Sequence, residues 1–289
     1  MRLAIGISPC PNDTFVFHGL LTGAVRVPGI ELAFELCDVQ ALNTAMASGR
    51  FDVAKASSAA ALRLGRECVA LRAGAALGFG VGPVLLGAPG ALALLVARGR
   101  IAERARVLVP GASTTANLLY RLFRVGEGRI EQVVFSEILP RLACGDADFG
   151  VCIHEGRFTW QRHGLAFVED LGACWERHAS APLPLGVILA RRALGSDVLR
   201  ALDAGIRASL EHARAHREDA LRTMRAHAQE LDDETLWKHV DLYVNAWTRD
   251  LGTEGTDALR RITGCAHASG WVAEGASRLE VLDEALQSP

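Results

Sequence analysis

The chain has 289 residues, of which 50% are hydrophobic and 22% charged, and this composition predicts a soluble globular protein large enough to form two lobes. Its formal net charge is −2 at pH 7, so neither nucleic acid nor an anionic membrane is expected as a partner. Seven cysteines without a Cys-x-x-Cys pair, and a first apolar stretch too short for a signal peptide, predict free thiols and a cytoplasmic location.

Short apolar stretches alternate with helical ones along the first half of the chain. These stretches predict strands at residues 3–7, 30–36, 51–56, 68–72, 107–109, 133–135 and 149–153. The segments between them carry helix signals; residues 38–48, for example, end at Gly49, and glycine suits the left-handed conformation that follows many helices. The alternation favours an α/β fold with a mostly parallel sheet.

The pattern changes after residue 196, where we predict no further strand. Four amphipathic helices are expected at residues 197–216, 218–230, 232–245 and 253–269. Glycine- and proline-rich segments at residues 78–83 and 183–186 are interpreted as two hinge crossings between lobes. The predicted organisation is a discontinuous large lobe (residues 1–88 and 184–289) and a small lobe (residues 89–183), with an interlobe cleft that binds a small ligand.

Three junctions between a predicted strand and a helix carry polar side chains. The first reads Ser8-Pro9-Cys10-Pro11-Asn12-Asp13-Thr14-Phe15, and the others are Lys55-Ala56-Ser57-Ser58 and Gly111-Ala112-Ser113-Thr114-Thr115-Ala116. Hydroxyls and backbone N–H groups at a helix N-terminus favour an anion, so the junctions predict a site for a small carboxylate. Ordinary helix capping explains the same residues, because Ser, Thr, Asn and Asp are common N-caps.

His154 is the most catalytic-looking of the nine histidines, because it directly follows the apolar run at residues 149–153. At the carboxyl end of a strand its imidazole would project toward a ligand, and its ordinary pKa suits a general base. A hydrogen-bonded loop histidine is the alternative interpretation. The roles of the neighbouring Glu155 and Arg157 stay open, including simple stabilisation of the turn.

The string at residues 8–15 resembles, letter for letter, the amino-terminal signature of the 1,4-dihydroxy-6-naphthoate synthases, which act in the futalosine route to menaquinone. The resemblance covers nearly the whole chain and departs mainly at residues 88–106 and after Gly264. It continues at residues 38–39, 42–43, 78–83, 114–116, 153–155, 157–159, 183–192, 225–231 and 243–246.

This resemblance implies a type II periplasmic-binding-protein-like fold used as a cofactor-free lyase, with neither a metal nor an organic cofactor. The implied reaction converts cyclic dehypoxanthine futalosine to 1,4-dihydroxy-6-naphthoate and releases dihydroxyacetone. The family's motif places the catalytic base at His154 and the substrate-binding positions at Asp13, Asn43, Ser57, Thr115 and Ala116. We expect the substrate carboxylate to dock on the helix starts near Ser57 and Thr115, without a buried lysine. Asp13 would either orient His154 or bind substrate hydroxyls.

Two other functions fit the same architecture. A chorismate dehydratase-like enzyme of the same pathway also acts on an anionic substrate, but the members of that group do not begin with the string at residues 8–15. A non-catalytic solute-binding module for a small carboxylate would need the fold alone, and it normally carries an export signal. The sequence does not indicate an oligomeric state.

Overall fold

A computed structural model describes residues 1–154, 156–228 and 232–283 of the chain. The fold consists of two compact units. The first unit comprises Met1–Gly78 and Pro184–Pro289, and the second comprises Phe79–Leu183. Within the described residues, no helix is both long and apolar enough to cross a membrane.

The described residues contain strands in both units. They are β1 (Arg2–Ile7), β2 (Glu31–Leu36), β3 (Val53–Ser57), β4 (Cys68–Ala70), β5 (Ala76–Gly78), β6 (Val84–Gly87), β7 (Arg106–Val109), β8 (Arg129–Gln132), β9 (Phe149–Cys152), β10 (Ala166–Asp170) and β11 (Leu183–Arg191).

Helices connect these strands and make up most of the carboxyl-terminal third. They are α1 (Pro11–Val16), α2 (His18–Leu21), α3 (Val39–Ser48), α4 (Ser58–Ala61), α5 (Ala91–Arg98), α6 (Thr115–Phe123), α7 (Phe135–Ala143), α8 (Gly156–Thr159), α9 (Leu171–Ala179), α10 (Ser196–Ala215), α11 (Arg217–His227), α12 (Asp233–Tyr243), α13 (Ala246–Arg249) and α14 (Gly252–Ala268).

The sheet of the first unit has the strand order β2-β1-β3-β11-β4, and β5 also pairs with β11. Strand β1 pairs in parallel with β2 and with β3, whereas β11 runs antiparallel to β3 and β4. Helical crossovers join β1 to β2 and β2 to β3, as parallel strands require. The carboxyl ends of β1 and β3 therefore lie at one edge of this sheet.

The sheet of the second unit has the order β10-β6-β9-β7-β8. Strand β7 pairs in parallel with β8 and β9, while β6 is antiparallel to β9 and to β10. The loops that follow β7 and β9 consequently lie at the same end of this sheet. Both sheets are mixed, so the expectation of a mostly parallel sheet was wrong: β6, β10 and β11 run opposite to the strands beside them.

Helix α3 shows how local sequence sets element bounds. The Asp38 carboxylate accepts hydrogen bonds from the backbone N–H groups of Gln40 and Ala41, at 2.9 and 3.2 Å, and so caps the first turn. Gly49 ends the helix with a φ of 87°, a left-handed conformation that glycine adopts without a Cβ clash. Both ends of α3 agree with the predicted helix.

The core of the first unit forms where α1, α2 and the carboxyl-terminal helices pack on β1, β3 and β11. Its buried apolar side chains include Ile5, Phe15, Ile188, Leu210 and Leu236. Helix α12 packs on α1, where the rings of Phe15 and Trp237 meet edge to face at 5.9 Å. This packing holds α1, the helix that carries the predicted site residue Asp13.

Several predicted boundaries were wrong. Residues 133–135 are not a strand; the strand is β8, and α7 begins at Phe135. Strand β8 lies at the sheet edge with partly exposed residues, so its Arg-Ile-Glu-Gln sequence lacks a strand's apolar signature. The first domain boundary falls at residue 78 rather than 88, because β6 belongs to the second sheet. The predicted end of the 218–230 helix partly falls on residues 229–231, outside the described residues.

Candidate active site

Helix α1, which follows β1, places a buried carboxylate near the carboxyl end of that strand. Asp13 is 2% exposed. Its Oδ2 accepts a hydrogen bond from Ser8 Oγ at 2.6 Å, and its Oδ1 accepts from Asn12 Nδ2 at 2.8 Å and lies 2.8 Å from Lys55 Nζ. Helix capping, the alternative interpretation, would require the Asp13 carboxylate to accept from backbone N–H groups of α1. Its hydrogen bonds and its ion pair are instead with side chains. The structure therefore gives Asp13 a fixed orientation set by three donors.

Lys55 is the residue of this group that we did not predict as part of the site. It lies in the middle of β3, is 6% exposed, and donates to the Gly74 carbonyl oxygen at 3.0 Å as well as pairing with Asp13. A buried lysine therefore lies two residues before Ser57 on the same strand. The available signal was a lysine inside an otherwise apolar strand, which needs a buried partner.

The segment that carries Gly74 is itself anchored. The Asp203 carboxylate accepts a hydrogen bond from the Ala73 backbone N–H at 2.8 Å, and the Gly74 N–H donates to the Thr248 carbonyl at 2.8 Å. Burial raises the pKa of Asp203 above its ordinary value. Its ion pair with Arg207, at 2.7 Å, provides the counter-charge. These contacts fix the carbonyl that Lys55 uses.

Asn43 and Ser57 form a reciprocal pair beside this group. Asn43 Nδ2 donates to Ser57 Oγ at 2.8 Å, and the Ser57 backbone N–H donates to Asn43 Oδ1 at 2.9 Å. Both residues are buried, and Ser57 ends β3, the strand that carries Lys55. The structure thus brings together three predicted residues, Asp13, Asn43 and Ser57, on neighbouring segments of one unit. The Ser57 N–H donates to Asn43, so this one group is not available to a ligand.

A histidine distant in sequence also joins this network. His239 on α12 is completely buried, and its Nε2 lies 3.0 Å from Asn12 Oδ1. Asn12 must direct its NH₂ group toward the Asp13 carboxylate, so its oxygen faces the imidazole and Nε2 carries the proton. His239 therefore supports Asn12, which in turn supports Asp13. A histidine inside an amphipathic helix gave no sequence signal for this role.

The second unit carries the other predicted binding residues. Thr114 caps α6, because its Oγ1 accepts a hydrogen bond from the Asn117 N–H at 3.2 Å. Thr115 and Ala116 follow as the first two helical residues and are both 3% exposed. Backbone N–H groups in the first turn of a helix lack intrahelical acceptors, and the helix dipole favours an anion there. Ala116 can contribute to binding a polar group only through its backbone.

His154 follows β9 at the same end of the second sheet as the loop that leads into α6. It is half-buried, and its ring meets the ring of Phe135 edge to face at a centroid distance of 5.0 Å. Its φ of 53° is left-handed, which is uncommon for a residue with a side chain. Backbone strain of this kind is frequent at functional positions, because surrounding contacts must hold it in place.

The turn that presents His154 is fastened by Arg157. The Arg157 backbone N–H donates to the His154 carbonyl at 3.2 Å. Its guanidinium pairs with Asp170 at 2.7 Å and donates to the Gly82 carbonyl. Arg157 thus binds protein groups on both sides of its guanidinium, consistent with the stabilising role that the sequence left open. Glu155 lies outside the described residues.

The described residues offer neither a metal cluster nor a disulfide. Among residues 1–154, 156–228 and 232–283, no group of three or more His, Cys, Asp or Glu side chains is arranged to hold a metal ion. The seven cysteines, all in the described part of the chain, form no disulfide. A cavity of about 280 Å³ in the second unit is lined by α5 and residues 100–105, and it contains none of the predicted site residues.

Comparison with known proteins identifies relatives over nearly the full length. The family model described as menaquinone biosynthesis matches residues 3–268. A 1,4-dihydroxy-6-naphthoate synthase of Thermus thermophilus is 48% identical over 94% of this chain and 96% of its own length. A protein of the same name from Streptomyces coelicolor is 40% identical, with coverages of 93% and 94%.

Solved structures share the fold. A protein from Archaeoglobus fulgidus superposes with a TM-score of 0.83 at 28% identity, covering 94% of this chain and 98% of its own. The alkanesulfonate-binding protein of Xanthomonas axonopodis pv. citri, determined with bound MOPS, superposes with a TM-score of 0.69 at 14% identity and 94% coverage of both chains. The second likeness supports the periplasmic-binding-protein fold alone. Together, the family match and the two synthases show that the chain belongs to the menaquinone biosynthesis family of 1,4-dihydroxy-6-naphthoate synthases.

Proposed function

We propose that this chain is a cofactor-independent lyase that converts cyclic dehypoxanthine futalosine to 1,4-dihydroxy-6-naphthoate and releases dihydroxyacetone. His154 acts as the general base. The identities of 48% and 40% to synthases of that name support the reaction. The strained backbone of His154 at the end of β9 is the observation that carries its catalytic role.

His154 suits proton transfer for physical reasons. A half-buried imidazole keeps contact with solvent for proton exchange, and the edge-on ring of Phe135 limits its rotation. Removal of a proton from the substrate would open the sugar-derived ring and allow a carbon–carbon bond to break, with aromatisation drawing the reaction forward. A placed general base contributes roughly 10²–10⁴-fold to the rate, so substrate positioning must supply much of the remainder.

Substrate binding uses the two groups of residues described above. The carboxylate of the substrate binds at the start of α6, where the Thr115 and Ala116 N–H groups and the helix dipole favour an anion. Of the two helix starts named from the sequence, near Ser57 and near Thr115, we propose the one near Thr115, because the Ser57 N–H already donates to Asn43. Asp13, Asn43 and Ser57 bind the hydroxyl groups of the substrate. A small carboxylate-bearing molecule is therefore the partner that we propose.

The test is incubation of the purified protein with cyclic dehypoxanthine futalosine and, separately, with chorismate. Chromatographic detection of the naphthoate and of dihydroxyacetone supports the proposal. Loss of chorismate instead would indicate a dehydratase, and binding of either compound without turnover would indicate a solute-binding module. Dialysis against a chelator should leave the rate unchanged; a lost rate that returns with added metal would refute cofactor independence.

Substitution of the base tests the assignment of His154. His154→Ala should abolish turnover while calorimetry still detects substrate binding, because the proton acceptor is lost and the binding groups remain. His163→Ala is the matched control, since His163 is an exposed histidine in the same unit, and its rate should equal that of the wild type. Near-normal turnover by His154→Ala would remove His154 from the role.

A further inference from the structure

Helix α5 of the second unit is apolar from residue 91 to residue 97, yet the rest of the protein covers little of it. Within α5 only Ala91 is buried, and Leu94 is 59% exposed. A helix that is apolar on all sides is normally buried in a protein interior. Residues 91, 94, 95 and 98 have the spacing of one helix face, which would ordinarily pack on a core. In α5 this face lines the cavity of about 280 Å³.

The inner wall of this cavity is apolar. Ile101 and Phe149 are buried, and they line the cavity together with Leu94 and Leu95 of α5. Globular proteins leave few empty apolar spaces larger than a water molecule, so a space of this size beneath a helix suits a ligand. An apolar cavity of roughly 150 Å³ binds benzene. A volume of about 280 Å³ therefore accommodates a body of one or two fused rings.

Three arginines surround the same cavity. Arg98, Arg100 and Arg104 line it and are exposed, so they form its solvent-facing rim. None of the three forms an ion pair with a residue that the structure describes, and Arg100 donates to the Gly126 carbonyl at 3.4 Å. A wider hollow of about 530 Å³ adjoins the cavity and is lined by the same three arginines. The space thus has an apolar interior and a cationic entrance.

The acidic side chains nearby do not neutralise this entrance. Asp148 lines the cavity, but its carboxylate accepts the backbone N–H of Arg106 at 2.7 Å. Glu127 pairs with Arg124. Glu103 lines the wider hollow and forms no ion pair with any described residue. Even with Asp148 and Glu103 counted, the lining keeps a net positive charge. Guanidinium groups bind a carboxylate through two parallel hydrogen bonds, so this rim favours that anion.

The cavity lies at the end of the second sheet opposite to the predicted catalytic residue. Phe149 begins β9, and His154 follows the other end of that strand. Ala105 directly precedes β7, whereas Thr115 follows the carboxyl end of β7. Four residues of strand span roughly 13 Å. A ligand in the cavity therefore uses none of the groups assigned to the substrate, and both sites can be occupied at once.

We propose that this cavity is a second binding site, and that it takes an aromatic carboxylate of one or two fused rings. The rings lie between α5 and the first residue of β9, where they cover the apolar face of the helix. The carboxylate binds the guanidinium groups of the rim. The proposal goes beyond the proposed function, because the site would bind this class of compound whatever reaction the chain catalyses.

Methyl NMR provides the first test, with 2-naphthoate as the probe. In protein with ¹³C-labelled leucine methyl groups, 2-naphthoate should shift the signals of Leu94 and Leu95 in a saturable manner, because the ring current of the bound naphthalene acts on them. Leu20, in the core of the first unit, is the internal reference and should not move. Unmoved Leu94 and Leu95 signals at the solubility limit of 2-naphthoate would overturn the proposal.

The contact with the carboxylate is tested by a neutral ligand and by a variant. Both 2-naphthamide with the wild type and 2-naphthoate with Arg98→Gln, Arg104→Gln should show a Kd higher by about 10-fold or more, the effect of losing a hydrogen bond to a charged group. Arg162→Gln is the control, since Arg162 is an exposed arginine of the same unit, and its Kd should match the wild type. Equal Kd values for 2-naphthoate and 2-naphthamide would overturn the assignment of a carboxylate site.

A second copy of the chain is the other occupant that could cover α5. Analytical ultracentrifugation should give Leu94→Glu the same oligomeric state as the wild type. A wild-type dimer that Leu94→Glu dissociates would assign the α5 surface to a second copy and overturn the proposal. Neither the NMR titration nor the centrifugation measures turnover, so a failure here leaves the proposed reaction untouched.

Discussion

The buried ion pair between Lys55 and Asp13 allows a quantitative prediction about stability. Lys55→Met removes the counter-charge and leaves a carboxylate that is 2% exposed. Breaking a buried pair in this way costs about 3–5 kcal/mol. Because Asp13 keeps its hydrogen bonds from Ser8 and Asn12, we expect a value near the lower limit, roughly 3 kcal/mol. Domains of this kind have only about 5–15 kcal/mol of total stability, so the effect is large.

The double variant Asp13→Asn, Lys55→Met should recover most of this loss. It removes both charges, and an Asn at position 13 can accept a hydrogen bond from Asn12 through its oxygen and donate one to Ser8 Oγ through its NH₂ group. Uncharged replacements of buried pairs are often neutral or stabilising, so we expect the double variant within about 1 kcal/mol of the wild type. The stability of the double variant would then exceed that of Lys55→Met, although it carries one more substitution.

Urea unfolding at constant pH measures the stability of the wild type, of Lys55→Met and of the double variant. Their free energies of unfolding can be compared if the dependence on urea concentration has the same slope in all three proteins. Asp233→Asn is a matched control, because Asp233 pairs with Arg225 on the surface, where the side chains are 47% and 53% exposed. Solvent screens such a pair, so its removal should leave the unfolding midpoint almost unchanged. Equal destabilisation by Lys55→Met and by the double variant would refute the reasoning, because it would assign the loss to packing rather than to an unpaired charge.

Three further predictions concern other positions. In urea unfolding, Gly186→Ala should destabilise the protein by about 1–3 kcal/mol, because the new Cβ meets a carbonyl oxygen of β3. Gly264→Ala, in open space within α14, should stabilise it by about 0.5–1 kcal/mol, and equal effects of the two substitutions would contradict the steric argument. Burial and nearby positive groups lower the pKa of His18, so the unfolded state binds more protons, and the stability of the fold decreases as the pH drops through about 6.5, the unfolded value. This decrease should vanish in His18→Gln, and an unchanged pH dependence in that variant would exclude His18 as its source. Arg157→Met should lower kcat by about 10- to 100-fold through a displaced His154, with KM little changed; a normal kcat would show that other contacts hold the turn.

The sequence predicted the parts of the fold that carry strong local signals. Buried strands such as β1 and β3 have continuous apolar runs, and α3 has both its N-cap and its terminal glycine. Edge strands β8 and β10 were missed, since their partly exposed residues lack an apolar period. Strand β11 was missed for a different reason: Pro184 and Gly186 near its start resemble a turn, although the strand is buried for most of its length.

The candidate site was predictable where its residues follow strands. Residues that follow two parallel neighbouring strands lie at the same end of the sheet. The expectation of parallel strands therefore brought the junctions at residues 8–15 and 55–58 together, and β1 and β3 do pair in parallel. The same reasoning groups His154 with Thr115, because β9 pairs in parallel with β7. Such grouping depends on which strands are parallel neighbours, and the sequence pattern predicted this only for part of each sheet.

Lys55 and His239 show what topology cannot reveal. Two partners determine which way the oxygen and the NH₂ group of the Asn12 amide point: a carboxylate one residue away and an imidazole 227 residues away. No local pattern relates His239 to Asn12, because the packing of α12 on α1 creates the contact. Lys55 had a local anomaly, a charge within an apolar strand, but its meaning depended on Asp13 facing it. Buried polar networks therefore cannot be predicted from the periodicity of the sequence, since the role of each residue depends on partners that only the fold brings to it.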